Sequence, residues 1–168
     1  DKVAFTGSTG AGRQIARTCG EMLRPVTLEL GGKSAAILLE DANLEAFAQG
    51  IPMTCMLNNG QACYNATRIL APQSIYNQVV ETVAGLAGAL NIGDALSPDT
   101  HVGPMASSAH RDRVESYIAK GKQEARLVAG GGRPKGMNKG WFVEPTVFAD
   151  VDNLSLIHIS EPTRRIEI

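Results

Sequence analysis

The chain has 168 residues, 43% hydrophobic and 20% charged, with a formal net charge of −1. That is the composition of a globular protein with enough chain for a sizeable core. The near-zero charge gives no electrostatic basis for binding nucleic acid or an anionic membrane, and no apolar run reaches the roughly 20 residues that span a bilayer.

The N-terminus, DKVAFTG, has neither an initiator Met nor a basic region followed by an apolar stretch. It reads as a chain entered inside a strand, not as a signal peptide. Cys19, Cys55 and Cys63 make an odd count without a C-x-x-C spacing. That argues against a disulfide framework and for a reducing compartment, the cytoplasm. His101, His110 and His158 are scattered and suggest surface or capping positions; no metal site is expected.

Residues 2–6, KVAFT, read as a short buried strand, followed by a Gly-rich turn from Gly7 to Gly12. A helix is expected over 13–23, with Ile15, Cys19 and Met22 on one face and Pro25 ending it. VTLEL (26–30) and SAAILLE (34–40) are strand-like, separated by Gly31-Gly32. Asp41 is placed to cap a helix on which Leu44, Phe47, Ala48 and Ile51 form one side. That helix is expected to run toward Leu57, kinked at Gly50 or Pro52, with Cys55 packed.

TRILAP (67–72) reads as a strand stopped by Pro72. Ser74 then caps a helix carrying the stripe Ile75, Val79, Val83, Leu86 and Leu90. A Gly/Pro-rich loop occupies 91–104, and Ser107 or Ser108 caps a helix bearing Val114, Tyr117 and Ile118. RLVAG (126–130) is a strand, 131–140 an exposed loop or hairpin, and 141–151 a strand pair or one bent strand. Strands alternating with helices imply an α/β fold with a mostly parallel sheet and helical crossovers.

Three stretches can carry chemistry. VAFTGSTGAG is strand, Gly-rich turn and helix start, a geometry that lets backbone N–H groups face a phosphate. Its spacing is not the common dinucleotide fingerprint, and a plain turn fits the same residues. In LELGGKS, Glu29 stands at the end of a strand between Leu28 and Leu30. It is either a general base at a strand's carboxyl end or a wet-face residue of an alternating strand. In NNGQACYNATR, Cys63 lies among small and polar residues. It is either an activated thiol or a packed one.

Taken in order, FTGSTGAG (5–12), LELGGKSA (28–35), NNGQAC (58–63) with Thr67-Arg68, and GWFVEPTVF (140–148) resemble the aldehyde dehydrogenase superfamily. The separation of Glu29 from Cys63 also fits, and the resemblance covers residues 1–153. It implies an aldehyde-dehydrogenase-like chain: a partial Rossmann-type cofactor domain and an α/β catalytic domain. It further implies NAD(P)-dependent oxidation of an aldehyde to a carboxylic acid. Cys63 is then the nucleophile, passing through a thiohemiacetal and a thioester, and Glu29 activates the hydrolytic water. Gly7 and Ser8 match positions that meet the cofactor diphosphate, and Thr6 the residue beside the nicotinamide. Leu30 and Gly31 match the stretch lining the nicotinamide end. Glu144-Pro145 and Gly103-Pro104 match structural positions.

Tyr64 and Asn65 depart from the small residues usual after the cysteine. Family members are much longer. The asparagine that completes the oxyanion hole and the residues that contact the adenosine ribose have no counterpart here, so NAD or NADP as cofactor stays open. The resemblance thus implies an internal fragment of a parent enzyme that is a homodimer or homotetramer and acts on a small aldehyde. Alternatives are an inactive fragment or non-catalytic relative, or transfer of the acyl group to coenzyme A. By the same resemblance, residues 1–31 end the dinucleotide-binding domain and 32–153 belong to the catalytic domain. Residues 154–168 do not continue the pattern: LSLIHISEPTRR looks like a translated sequencing-library adapter, a non-native tail.

Overall fold

In the computed structural model, which describes residues 1–155 and Ile157, short strands are interspersed with helices. Strand β1 (Val3–Thr6), helix α1 (Thr9–Glu21) and strand β2 (Val26–Glu29) form a β-α-β unit. Its strands run parallel, in register from Val3↔Val26 to Thr6↔Glu29. Helix α1 begins earlier than the apolar periodicity suggests, because Ser8 caps it. The Ser8 hydroxyl accepts the Ala11 N–H at 3.3 Å, so most of the Gly-rich stretch lies in the first turn. The helix stops ahead of Pro25, where Leu23 turns to φ 50. Cys19 is 5% exposed as expected, but Met22, at the cap beyond the last turn, is 56% exposed.

Strand β3 (Ala35–Ile37) is shorter than SAAILLE and pairs in parallel with β4 (Arg68–Leu70). Between them lies α2 (Leu44–Thr54), capped by Asn43 and not by Asp41. Asn43 Oδ1 accepts the Ala46 N–H at 3.0 Å. Pro52 sits within α2, which ends at Thr54 instead of reaching Leu57. A tight turn over Leu57–Gly60 follows, in which Asn58 and Asn59 leave the helical region. Helix α3 (Tyr76–Ala89) has Ile75 at its cap position with no side-chain cap, so Ser74 does not start it. Leu38, Ile51, Cys55, Val79 and Val83 form the main core, with Phe47, Ile69, Ile75 and Leu86 packed against it.

Helix α4 (Ser108–Glu124) is capped by Ser107, whose hydroxyl accepts the His110 N–H at 3.2 Å. Strands β5 (Arg126–Ala129) and β6 (Val147–Ala149) are antiparallel. A smaller core of Met105, Ile118 and Val143 joins this part, with Val114 and Phe148 against it. The 141–151 segment contributes one strand and not a pair. Of the expected tail, only Leu154, Ser155 and Ile157 are among the described residues; Ser155 donates to the Glu124 carboxylate.

Among the described residues the strands form three two-stranded sheets, one of them antiparallel, and not a single mostly parallel sheet. Connection length accounts for the break between β2 and β3. A parallel neighbour requires a crossover of a dozen or more residues, whereas residues 30–34 join β2 directly to β3. Ile37 and Leu70 on the β3–β4 pair are 71% and 44% exposed, and Leu39, just past β3, is 66% exposed.

On α4, Glu115 receives a two-pronged contact from the Arg133 guanidinium, with Nη2 to Oε2 at 2.7 Å. This hydrogen bond holds the Glu115 carboxyl below its ordinary 4.5. A carboxyl lowered on folding stabilises the fold above its unfolded value, and that contribution disappears as pH falls through the lowered one. An NMR titration is expected to show Glu115 titrating below 4.5, with Arg133→Ala moving it back up. A midpoint unaffected by Arg133→Ala would contradict this assignment.

Candidate active site

The β1–β2 register brings Thr6 beside Glu29 at the carboxyl ends of two parallel strands. The Gly7 N–H donates to the Glu29 carbonyl at 3.0 Å, so the phosphate-type turn and the candidate base share one edge. Thr6, Gly7, Ser8, Glu29 and Gly31 are all exposed. Ser8 occupies the Ala11 N–H, and its carbonyl takes the Gly12 N–H at 2.9 Å. The first-turn N–H groups of Thr9 and Gly10 remain at the positive end of α1, where an anion is favoured.

Leu30 is half-buried because its side chain packs on α1. A Cβ added at Gly12 would lie 2.7 Å from Leu30 Cδ2, so this glycine permits the contact between the turn and the Glu29 strand. Gly12→Ala is expected to destabilise the protein by about 1–3 kcal/mol through overpacking. Chemical denaturation would check this; an unchanged midpoint would show that Leu30 moves aside freely.

Residues 30–34 carry the chain from Glu29 to β3. The Arg68 N–H donates to the Ser34 carbonyl at 3.2 Å, and Ala35 is in register with Arg68. Because β3 and β4 are parallel, the segments leading into them lie at the same end of the pair. Glu29 precedes one strand and Cys63 the other. Lys33 lies on the first lead, and burial holds its ammonium below the ordinary 10.5; sequence reading assigned it no role.

The loop bearing Cys63 is braced on several sides. Asn58, Asn59 and Gly60 take left-handed conformations, at φ 52, 58 and 75, which Asn and Gly tolerate best. The Asn59 carboxamide bonds the Gly103–Pro104 turn. Gln61 Oε1 accepts the Ala106 N–H at 3.3 Å, and its Nε2 donates to the Asn58 carbonyl at 3.1 Å. Asn65, 3% exposed, closes the loop through Nδ2 to the Leu57 carbonyl at 3.0 Å. Beyond it, Ala66 accepts the Cys55 thiol at 3.1 Å and donates its N–H to Thr54 at 2.8 Å.

Within this frame Cys63 is exposed, whereas Cys19 and Cys55 are buried. Tyr64 beside it is 62% exposed. Two buried polar atoms on the same segment, Asn65 Oδ1 and Arg68 Nε, have no hydrogen-bond partner among the described residues. An open groove of about 630 Å³ lies between residues 93–95, Pro104 and the 136–142 loop. It contains neither Cys63 nor Glu29, so the strand ends and the braced loop, and not cavity size, locate the candidate chemistry. Sequence reading missed the bracing by Asn59, Gln61 and Asn65. The one available signal was the run Asn-Asn-Gly, three residues that suit left-handed backbone.

Glu144 and Pro145 lie on the loop facing β5. The Glu144 N–H donates to Gly132 at 2.9 Å, and the Pro145 carbonyl lies where a Cβ on Gly130 would stand, at 2.1 Å. Gly103-Pro104 meets the Cys63 loop directly.

A phosphate-type turn, a strand-end carboxylate and an accessible thiol are the working parts expected of a cysteine-dependent dehydrogenase. The aldehyde dehydrogenase family model matches residues 1–162, and the chain belongs to that family. It is 64% identical over 157 residues to geranial dehydrogenase of Castellaniella defragrans, covering 94% of this chain and 33% of that protein. It is 45% identical over 159 residues to betaine aldehyde dehydrogenase of Brucella ovis, covering 93% and 33%. The fold matches Mycobacterium tuberculosis aldehyde dehydrogenase complexed with NAD+, with TM-score 0.90 and 51% identity over 94% of this chain and 33% of that one. It also matches the NAD+ complex of a Bacillus cereus aldehyde dehydrogenase, with TM-score 0.89 and 43% identity over 94% and 32%. The chain therefore spans about a third of the length of these relatives. Among the described residues no helix is long and apolar enough to cross a membrane.

Proposed function

We propose that the protein containing this chain oxidises an aldehyde to its carboxylic acid with NAD+ or NADP+, with Cys63 as nucleophile and Glu29 as base. The observation that carries this reading is the exposed Cys63 thiol on a braced loop, at the end of the β3–β4 pair that Glu29 also approaches. Residues 1–31 complete a dinucleotide-binding domain in this reading and 32–153 contribute to a catalytic domain.

The donor set at the first turn fits a dinucleotide. Gly7 is exposed, with the Phe5 ring filling the side where a Cβ would stand, and the α1 N-terminus favours the diphosphate. Gly7 and Ser8 would hold the diphosphate and Thr6 would lie beside the nicotinamide, with Leu30 and Gly31 lining the nicotinamide end. When bound, the nicotinamide supplies the hydride acceptor.

The Cys63 thiolate attacks the aldehyde carbonyl carbon, forming a C–S bond and placing the negative charge on the former carbonyl oxygen. The Cys63 backbone N–H donates to that oxygen. Loss of the C–H hydride from this thiohemiacetal leaves a thioester on Cys63. Glu29 then takes a proton from water as the water attacks the thioester carbon. The C–S bond breaks, Cys63 leaves as thiolate, and the carboxylic acid is released.

Trapping tests the reading. In the full-length gene product, acid quench during turnover followed by peptide mass mapping is expected to find the acyl group on the Cys63 peptide. An acyl group elsewhere would reject the nucleophile. The 64% identical relative is named for geranial, so geranial is expected to exceed betaine aldehyde in kcat/KM. The reverse order would assign the chain a different substrate class.

A further inference from the structure

We propose that Asn59 is a positioning residue: its carboxamide locks the Cys63 loop to the Gly103–Pro104 turn, and this lock aims the thiol and the Cys63 N–H. The proposal rests on Cys63 being the nucleophile.

Asn59 sits at φ 58 between Asn58 at φ 52 and Gly60 at φ 75. Three successive left-handed residues reverse the chain immediately ahead of Gln61, Ala62 and Cys63. Side chains with a Cβ resist that conformation, Asn less than most. The direction in which Cys63 leaves the turn therefore depends on what holds these residues.

The Asn59 side chain supplies the hold. Its Nδ2 donates to the Gly103 carbonyl at 2.9 Å and to the Pro104 carbonyl at 3.1 Å. Its Oδ1 accepts the Gly103 N–H at 3.1 Å. The carboxamide thus pairs with Gly103 through both donor and acceptor, as a peptide group would. The far side is itself anchored: Gly93 N–H donates to the Val102 carbonyl at 3.0 Å and Met105 N–H to the Trp141 carbonyl at 2.9 Å. Val102 and Met105 are 5% and 8% exposed. Asn59 ties an exposed nucleophile to a segment rooted in the second core.

Backbone preference and the tie can be separated. Asn59→Gly keeps the left-handed conformation without strain and removes all three hydrogen bonds. Asn59→Ala removes the bonds and the preference together. In the full-length gene product, both variants are expected to lose about 100-fold in kcat, the cost of a misplaced reacting group, with KM for the cofactor unchanged. Alkylation of Cys63 by iodoacetamide is expected to slow, with an altered pH profile, and Gly is not expected to rescue Ala. Asn59→Gly at wild-type kcat and alkylation rate would overturn the proposal.

A measurement on the unmutated protein stands apart from any folding defect. The Gly103 amide is expected to be protected from hydrogen exchange, and fast exchange there would also overturn the proposal. The two readings fail differently. Activity surviving in Cys63→Ser removes the nucleophile and this proposal with it. Inactive Cys63→Ser alongside a normal Asn59→Gly removes this proposal alone.

Discussion

Replacing Cys63 with Ala in the full-length gene product is expected to lower kcat/KM for aldehyde oxidation at least about 1,000-fold while cofactor binding persists. The size follows from the loss of a covalent route: without a thiolate there is no thiohemiacetal, and hydride transfer has no activated donor. The structure makes the substitution a clean one. Cys63 is exposed and contributes no side-chain packing to either core cluster, so its removal leaves the fold intact. Cys19→Ala is the matched control, because that thiol is buried on α1 and is expected to affect stability and not chemistry. Steady-state production of NADH or NADPH, with equilibrium cofactor binding in parallel, checks both. Substantial oxidation by Cys63→Ala would reject the mechanism.

Glu29→Gln is expected to divide the reaction at the thioester. Steady-state turnover should fall by about 100- to 10,000-fold, the range for loss of a positioned base. A burst of reduced cofactor near one equivalent per site should remain, since hydride leaves before the base acts. Gln is close in shape to Glu, and the bond from Gly7 N–H reaches the main-chain carbonyl of residue 29. The turn and the strand pairing therefore survive the change, and the effect reads the carboxylate alone. Rapid-mixing absorbance separates the phases. Loss of the burst together with turnover would mean that Glu29 serves an earlier step, such as deprotonating Cys63.

Which parts of the molecule were legible in the chain depends on whether the deciding contact is local. Helices α2, α3 and α4 follow their apolar periodicity, and Cys19 and Cys55 are buried as their positions imply. Caps were less legible. Asp41 and Ser74 have the right chemistry for caps, but Asn43 and Ile75 occupy the positions, because the first packed turn of each helix sets where the chain enters. Sheet organisation depended on a length that composition conceals: residues 30–34 are too short for a parallel crossover, so β2 and β3 enter different sheets.

The same division runs through the site. The sequence by itself determined the candidate residues and the family. Thr6 to Ser8, Glu29 to Gly31 and Cys63 each lie in a contiguous motif of the chain, and the aldehyde dehydrogenase family model matches residues 1–162. Only the tertiary structure decided how they are held. Thr6 meets Glu29 across a strand pair, Leu30 packs on Gly12, and Asn59 bonds Gly103 and Pro104 across separations of 44 and 45 residues. The physical reason is that a hydrogen bond's partner is chosen by direction and distance in the folded chain, and neither is written in the identity of the residue that makes it.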